Sequence, residues 1–257
     1  MATYKKRGYK PKNKEEEIEQ VEDHSTTAEV FNTLDEGASK TEEWVAANQK
    51  YIFIVVGAIA LIVLGWLGYD KYFQQPKEQE ASNEIFVAQQ YFDQAVNGTG
   101  VVTDSLYTLA LNGADGKYGF LEIIENYGGT DASNLANYYA GFSYLNMNKY
   151  EEAIKYLSAF DSDDKILGAL ALGGIGDAYA QQDKMEDALG FYEKAANTEA
   201  NEFTTPKFLL KSAITAIDLG KADIAITYLE RIKEEFSKST EANQVDVHLG
   251  RAQGMSK

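Results

Sequence analysis

The spacing of apolar and polar positions divides the chain into three parts. Up to about residue 37, polar and charged residues dominate and the few apolar ones keep no period. From Tyr51 to Tyr69 the run YIFIVVGAIALIVLGWLGY holds nineteen residues without a charge. Beyond Pro76 apolar residues recur at helical spacing, as in Ile85, Ala88, Phe92 and Ala95 or Val96. The stretch 98–116, with Gly98, Gly100, Gly113 and Gly116, predicts a looser connection. Helical spacing returns near Asp131 and continues to the C-terminus, so the expected fold class is all-α.

The run 51–69 would extend ~28 Å as a helix, close to the ~30 Å hydrocarbon thickness of a bilayer. Lys50 and Asp70–Lys71 bracket it, and Trp44, Tyr51, Trp66, Tyr69 and Tyr72 fall where interfacial aromatics sit. A soluble helix keeps a polar stripe, and this one has none. It starts too far into the chain, and is too long, for a cleaved signal peptide. Gly57, Gly65 and Gly68 miss the four-residue spacing of small-residue helix packing. Lys40 and Lys50 balance Lys71 and Lys77 across the span, so orientation rests on Lys5, Lys6, Arg7, Lys10, Lys12 and Lys14, which favour a cytoplasmic N-terminus.

The N-terminal part is organised by charge. Residues 1–14 carry six positive charges and no acid, whereas residues 15–36 carry nine acids and no Lys or Arg. Such blocks bury too little apolar surface to offset ordering entropy, which predicts a disordered tail over 1–37 with a short helix around Glu15–Glu22. The basic tip offers contact to anionic lipid or ribosomal RNA, but a topology signal is the simpler role. Residues 38–75 form the expected membrane anchor with a helical lead-in to the span, and 76–130 a helical spacer with a partial repeat.

From residue 131 onward the chain repeats itself. Gly141, Gly176 and Ala213 occupy equivalent places, with Tyr144, Tyr179 and Ala216 three residues later. Ala153, Ala188 and Ala225 follow, then Leu157, Tyr192 and Leu229, then Phe160, Ala195 and Ile232. The small residues let two antiparallel helices approach, the larger ones fill the space beside them, and each hairpin leaves an apolar face that its neighbour must cover. Helix starts are predicted at Asp131, at Tyr150 after Asn148–Lys149, at Lys165 behind an Asp164 cap, and at Thr205–Pro206. Gly220 divides the last pair, and Ser239 or Thr240 opens a terminal capping helix.

The periods of 35 and 37 residues, and the small–x2–Tyr…Ala pattern, resemble the tetratricopeptide repeat. The second unit, 166–197, follows the pattern best. The usual Trp is replaced by Asn137, Leu172 and Leu209. The resemblance implies a helical-hairpin solenoid over 131–257 whose first helices line a protein-binding groove. It would place Leu135, Tyr138, Phe142, Leu145 and Asn146 there from the first unit. The second unit would add Leu170, Gly173, Asp177 and Gln181, and the third Lys207, Leu210, Ile214 and Asp218. The basic clamp by which some members grip a C-terminal carboxylate is missing, since Asn146, Asp177, Gln181 and Asp218 stand at the corresponding places. A neutral to acidic, partly apolar groove suits an amphipathic or extended protein segment.

Composition narrows the function classes. A formal charge of −16 opposes nucleic-acid binding, which needs clustered Lys and Arg. The absence of cysteine excludes disulfides and thiol chemistry. His24 and His248 are far apart in sequence and provide no metal pair. Asp161, Asp163 and Asp164 suggest a calcium loop, but Ile166 and Leu172 stand where its Gly and Glu belong, so a helix-capping loop is the reading. Gly173–Gly174–Ile175–Gly176 lies inside a helix and reads as close packing. No cofactor or metal is expected, and catalysis is not. A residual enzymatic reading would rest on Asp177 as a buried acid.

The layout from residue 40 onward, with one anchor span, a helical spacer and an irregular repeat domain, resembles the YfgM-like ancillary subunits of the bacterial Sec translocon. The longer tail with its basic tip departs from that pattern. The resemblance implies an inner-membrane protein with periplasmic repeats, working beside translocon subunits and a membrane-anchored periplasmic chaperone to receive emerging polypeptides. The alternative is a structural envelope scaffold for cell-division or outer-membrane assembly factors.

Overall fold

The computed structural model describes residues 26–98 and 102–255; the basic tip and the helix expected around Glu15–Glu22 lie outside them. The chain divides into two units, Met1–Tyr69 and Asp70–Lys257. The described part of the first is one helix, α1 (Thr26–Tyr69). It begins twelve residues before the expected lead-in, so residues 26–37, assigned to a disordered tail, are helical. The segment TTAEVFNTLDEG lacks proline and opens with threonines suited to a helix N-terminus, a local signal that the charge-block reading overlooked. Within α1 the run 51–69 keeps its apolar side chains exposed, as at Ile54, Leu61 and Trp66. One helix is therefore long and apolar enough to cross a membrane.

The second unit opens with a π-helical turn, Asp70–Gln74, and continues into α2 (Gln75–Asn97), with Pro76 in the first turn where its missing N–H costs nothing. The supposedly loose stretch 98–116 contains a helix, α3 (Val102–Asn112). Tyr107, Ala110 and Leu111 of α3 share one buried face, so their spacing outweighs the flanking glycines. After Gly113, whose φ of +79° only glycine adopts freely, α4 (Phe120–Asn126) follows. Phe92, Tyr107, Phe120 and Tyr139 form an aromatic centre here: Phe92 lies 5.7 Å from Tyr107 and 5.0 Å from Tyr139, which stacks on Phe120 at 5.3 Å.

Three hairpins come next: α5 (Asp131–Asn146) with α6 (Tyr150–Ala159), α7 (Lys165–Gln181) with α8 (Met185–Asn197), and α9 (Thr205–Asp218) with α10 (Ala222–Glu235). Their turns are copies of one another. Asn148, Asp183 and Gly220 take φ of +59°, +59° and +75°. The next amide, of Lys149, Lys184 or Lys221, donates to the carbonyl of Tyr144, Tyr179 or Ala216 at 2.9, 3.0 and 2.8 Å. This is a Schellman cap used three times, and it sets the repeat phase read from the sequence. Ala153, Ala188 and Ala225 are fully buried in the returning helices. A methyl at Gly141 would come within 2.5 Å of Leu157 Cγ, and one at Gly176 within 2.6 Å of Tyr192, so both sites require glycine for contact rather than conformation.

Caps fall close to the predicted places. Asp164 Oδ1 accepts from the amides of Ile166 and Leu167, both at 2.8 Å, which accounts for that acid without calcium. The cap of α5 is Thr130 rather than Asp131, and Thr130 Oγ1 accepts from Ser133 N at 3.0 Å. Thr204, not Thr205, precedes α9, because Asn201 Oδ1 takes the amides of Phe203 and Thr204 and folds the chain into a turn one residue earlier. The terminal helix α11 (Ala242–Met255) starts behind Ser239, whose Oγ accepts from Ala242 N. The sequence boundary at residues 130 and 131 falls inside one compact unit, tied by α2. Gln74 and Lys77 donate to the carbonyls of Gly129 and Gly128, and the Glu78 carboxylate accepts from Asp131 N at 2.7 Å and Ala132 N at 3.1 Å.

Candidate protein-binding groove

The first helices of the hairpins, α5, α7 and α9, place the predicted groove residues in equivalent rows. Leu135, Leu170 and Lys207 form one row, Tyr138, Gly173 and Leu210 the next. Phe142, Asp177 and Ile214 follow, then Asn146, Gln181 and Asp218.

The first hairpin presents half-buried aromatic surface. Tyr138 lies 4.7 Å from Phe142 and 5.2 Å from Phe160, ring centre to ring centre. Burial, with smaller contributions from Tyr139 and Asp164, pushes the Tyr138 hydroxyl up to about 12. Leu135 packs against the buried cluster that contains Phe120, Ala136 and Ala140. Asn146 is exposed and its amide donates to Phe142 O in its own helix. Gln181 is exposed too, with Oε1 at 3.5 Å from the Tyr150 hydroxyl.

The second and third hairpins are more closed. Leu210 is only 7% exposed and belongs to the core with Phe208, Leu209 and Ala213, so it is not an accessible groove residue. The cause is Phe208: its ring lies directly against Gly173, where a methyl has no room, and this draws the start of α9 onto α7. Leu170 and Ile214 pack against the same core and remain partly accessible. Lys207 is exposed with its ammonium 5.7 Å from the Phe208 ring centre. Asp218 meets Arg251 of α11 at 3.6 Å, so the terminal helix engages the last row.

Asp177 sits at the centre of the face. Its Oδ1 accepts from Tyr192 OH at 2.7 Å and from Lys211 Nζ at 2.5 Å, and Lys211 lies 5.3 Å from the Tyr192 ring centre. Burial and the facing carboxylate raise the Tyr192 hydroxyl well above its ordinary value. A carboxylate engaged by a phenol from α8 and an ammonium from α9 ties α7 to both helices. Lys211 is the residue of this candidate face that the sequence reading missed. It occupies the place of Gly174, a row that the repeat template leaves out of the groove, so only the 34-residue reach to Asp177 reveals it. Among the described residues, no group of three or more His, Asp or Glu could hold a metal ion.

A family model described as Tetratricopeptide repeat matches residues 135–162 and 208–239. The chain carries tetratricopeptide repeats. No curated protein and no solved structure matches it. The matched tetratricopeptide segments cover α5–α6 and α9–α10 but omit the middle hairpin, which reads from sequence as the closest to the pattern. Its α7 carries Gly173 and Gly174 back to back, fitted to Phe208 on one side and to Leu157 and Phe142 on the other. The middle unit has nevertheless the same turn and the same buried alanine as the two matched ones. Tetratricopeptide repeats are a protein-interaction fold, and an adaptor role follows from them.

Proposed function

We infer that this chain is a non-catalytic, membrane-anchored adaptor whose first-helix face holds a segment of another protein. The carrying observation is the pairing of tetratricopeptide repeats with one helix long and apolar enough to cross a membrane. Tyr138, Phe142 and Leu170 offer apolar contact, while Asn146, Gln181 and Lys207 offer exposed polar groups beside it. Such a surface suits an extended or amphipathic polypeptide. The finer reading is an ancillary subunit beside the Sec translocon of a bacterial inner membrane, with the repeats in the periplasm. The basic residues 5–14 support a cytoplasmic N-terminus, and the overall layout supports the translocon.

The natural absence of cysteine makes the test direct. Single cysteines at Ala2 and Gly254 should react differently with a membrane-impermeant maleimide. The Gly254 site should label in cells with a permeabilised outer membrane, and the Ala2 site only after lysis. Photo-crosslinkers at Gln181 and Lys207 should then capture translocon subunits or their chaperone. Labelling at Ala2 alone would place the repeats in the cytoplasm and end the periplasmic reading. Periplasmic labelling with crosslinks only to division or outer-membrane assembly factors would replace the translocon by an envelope scaffold.

A further inference from the structure

The two seams between successive second helices are built differently. Between α8 and α10, three polar pairs close the seam. Lys221 Nζ donates to Glu186 at 2.5 Å, Tyr228 OH to Glu193 at 2.6 Å, and Arg231 Nη1 to Asn197 at 3.1 Å. The repeat register places Glu151, Ser158 and Ser162 of α6 and its following loop where Glu186, Glu193 and Asn197 stand. It places Lys184, Phe191 and Lys194 where Lys221, Tyr228 and Arg231 stand. Among the described residues none of these three pairs forms. Lys184 donates instead to Gln182 at 2.8 Å, and Phe191 has no hydroxyl to offer Ser158. Lys194 lies 4.5 Å from the Phe191 ring centre.

The unclosed seam is a cleft of ≈ 350 Å³ floored by Leu157, Leu172 and Ile175, with Ser158, Ser162 and Phe191 also lining it. It is formed by α6, α7 and α8, and includes none of the groove residues on the first-helix face. Asp161 is the charged residue of its lining, and the surrounding residues 149–165 and 184–199 hold nine acids against five lysines. Four of these acids are engaged: Glu186 by Lys221, Glu193 by Tyr228, Glu199 by Lys165, and Asp164 as the cap of α7. Glu151, Glu152, Asp161, Asp163 and Asp187 make no side-chain ion pair or hydrogen bond among the described residues.

We propose that this cleft is a second docking site, which takes the apolar face of a basic amphipathic helix from another protein. The apolar floor supplies burial for aliphatic side chains, and the unengaged carboxylates meet Lys or Arg on the flanks of that helix. The same acids repel an anionic lipid surface, which leaves protein as the partner.

The full chain in zwitterionic nanodiscs, with empty nanodiscs as control, is titrated into a fluorescent synthetic helix. That probe has leucines at i, i+3, i+4 and i+7 and lysines on its flanks. Two changes close the cleft independently. Ser158→Glu with Phe191→Tyr installs the pair that seals the other seam. Gly168→Leu fills the space from a position where a Cβ meets only Ser162 O, at 3.5 Å. Each should weaken binding by about tenfold or more, while Lys211→Ala on the first-helix face leaves it unchanged. A glutamate-flanked version of the probe should bind far more weakly. Unchanged affinity in both cleft variants, or equal binding of the acidic probe, overturns the proposal. Loss of binding in Lys211→Ala alone would move the probe to the groove and also overturn it.

Discussion

Lys211 and Tyr192 converge on one oxygen of Asp177, whereas Gly173 is shaped by what is missing from it, and both sites can be tested by single substitutions. Tyr192→Phe keeps the ring packed and removes the 2.7 Å bond, so it should cost about 1 kcal/mol of stability. Gly173→Ala drives a methyl into the Phe208 ring and should cost about 1–3 kcal/mol. Gly168→Ala, in the same helix but with room for a methyl, should be neutral or stabilising by up to about 1 kcal/mol. Denaturant unfolding followed by circular dichroism checks all three; equal effects at Gly173 and Gly168 would refute the packing argument. Fluorescence is unsuitable, because Trp44 and Trp66 both lie in α1. The tyrosines also predict an alkaline limit. Tyr138, Tyr192 and Tyr228 hold their protons above the ordinary value near 10, so the folded state binds more protons than the unfolded chain once pH exceeds that value. Stability should therefore be intact below about pH 10 and fall as pH rises toward 12, and Tyr192→Phe should make that fall shallower.

Helices reveal where sequence reading succeeds. Units that occur three times were legible, because a 35- or 37-residue period confirms each small residue and each turn against two others. Helix α3 occurs once, is eleven residues long and is followed by glycine turns, so local composition concealed it. Leu210 was assigned to the groove by template position, but Phe208 packing on Gly173 buries it, a long-range event that no local pattern encodes. The start of α5 is likewise held from afar, by Glu78 as well as Thr130. Thr130→Ala should cost about 1 kcal/mol, and Glu78→Ala about 1–2 kcal/mol, since two amides lose their acceptor. The terminal helix carries an acid-sensitive element. His248 Nδ1 is buried with no hydrogen-bond partner among the described residues, and burial and Arg251 push its pKa down against the opposing pull of Asp218. The unfolded chain thus takes up a proton at about pH 6.5 where the folded one does not, and stability falls as pH drops below that value. Melting curves between pH 7.5 and 5 should show a smaller loss in His248→Gln than in the native chain.

At the scale of the whole molecule, the decisive question is how much of the chain is needed to hold the tetratricopeptide hairpins. The repeat pattern begins at Asp131, yet the aromatic centre that supports α5 draws Phe92 from α2, Tyr107 from α3 and Phe120 from α4. The amides at the start of α5 also depend on Glu78. Removing residues 1–130 would therefore expose Leu135 and Tyr139 and leave the first hairpin without its cover, a loss of several large buried contacts at once. Residues 70–257 retain all of these and leave the apolar run 51–69 behind. The fragment 70–257 should be soluble without detergent and unfold in one cooperative transition by circular dichroism. The fragment 131–257 should aggregate, or melt broadly at a clearly lower temperature. If 131–257 instead melts as sharply and as high, α2–α4 are a passive spacer, and the hairpins form a self-sufficient domain that owes nothing to the helices preceding it.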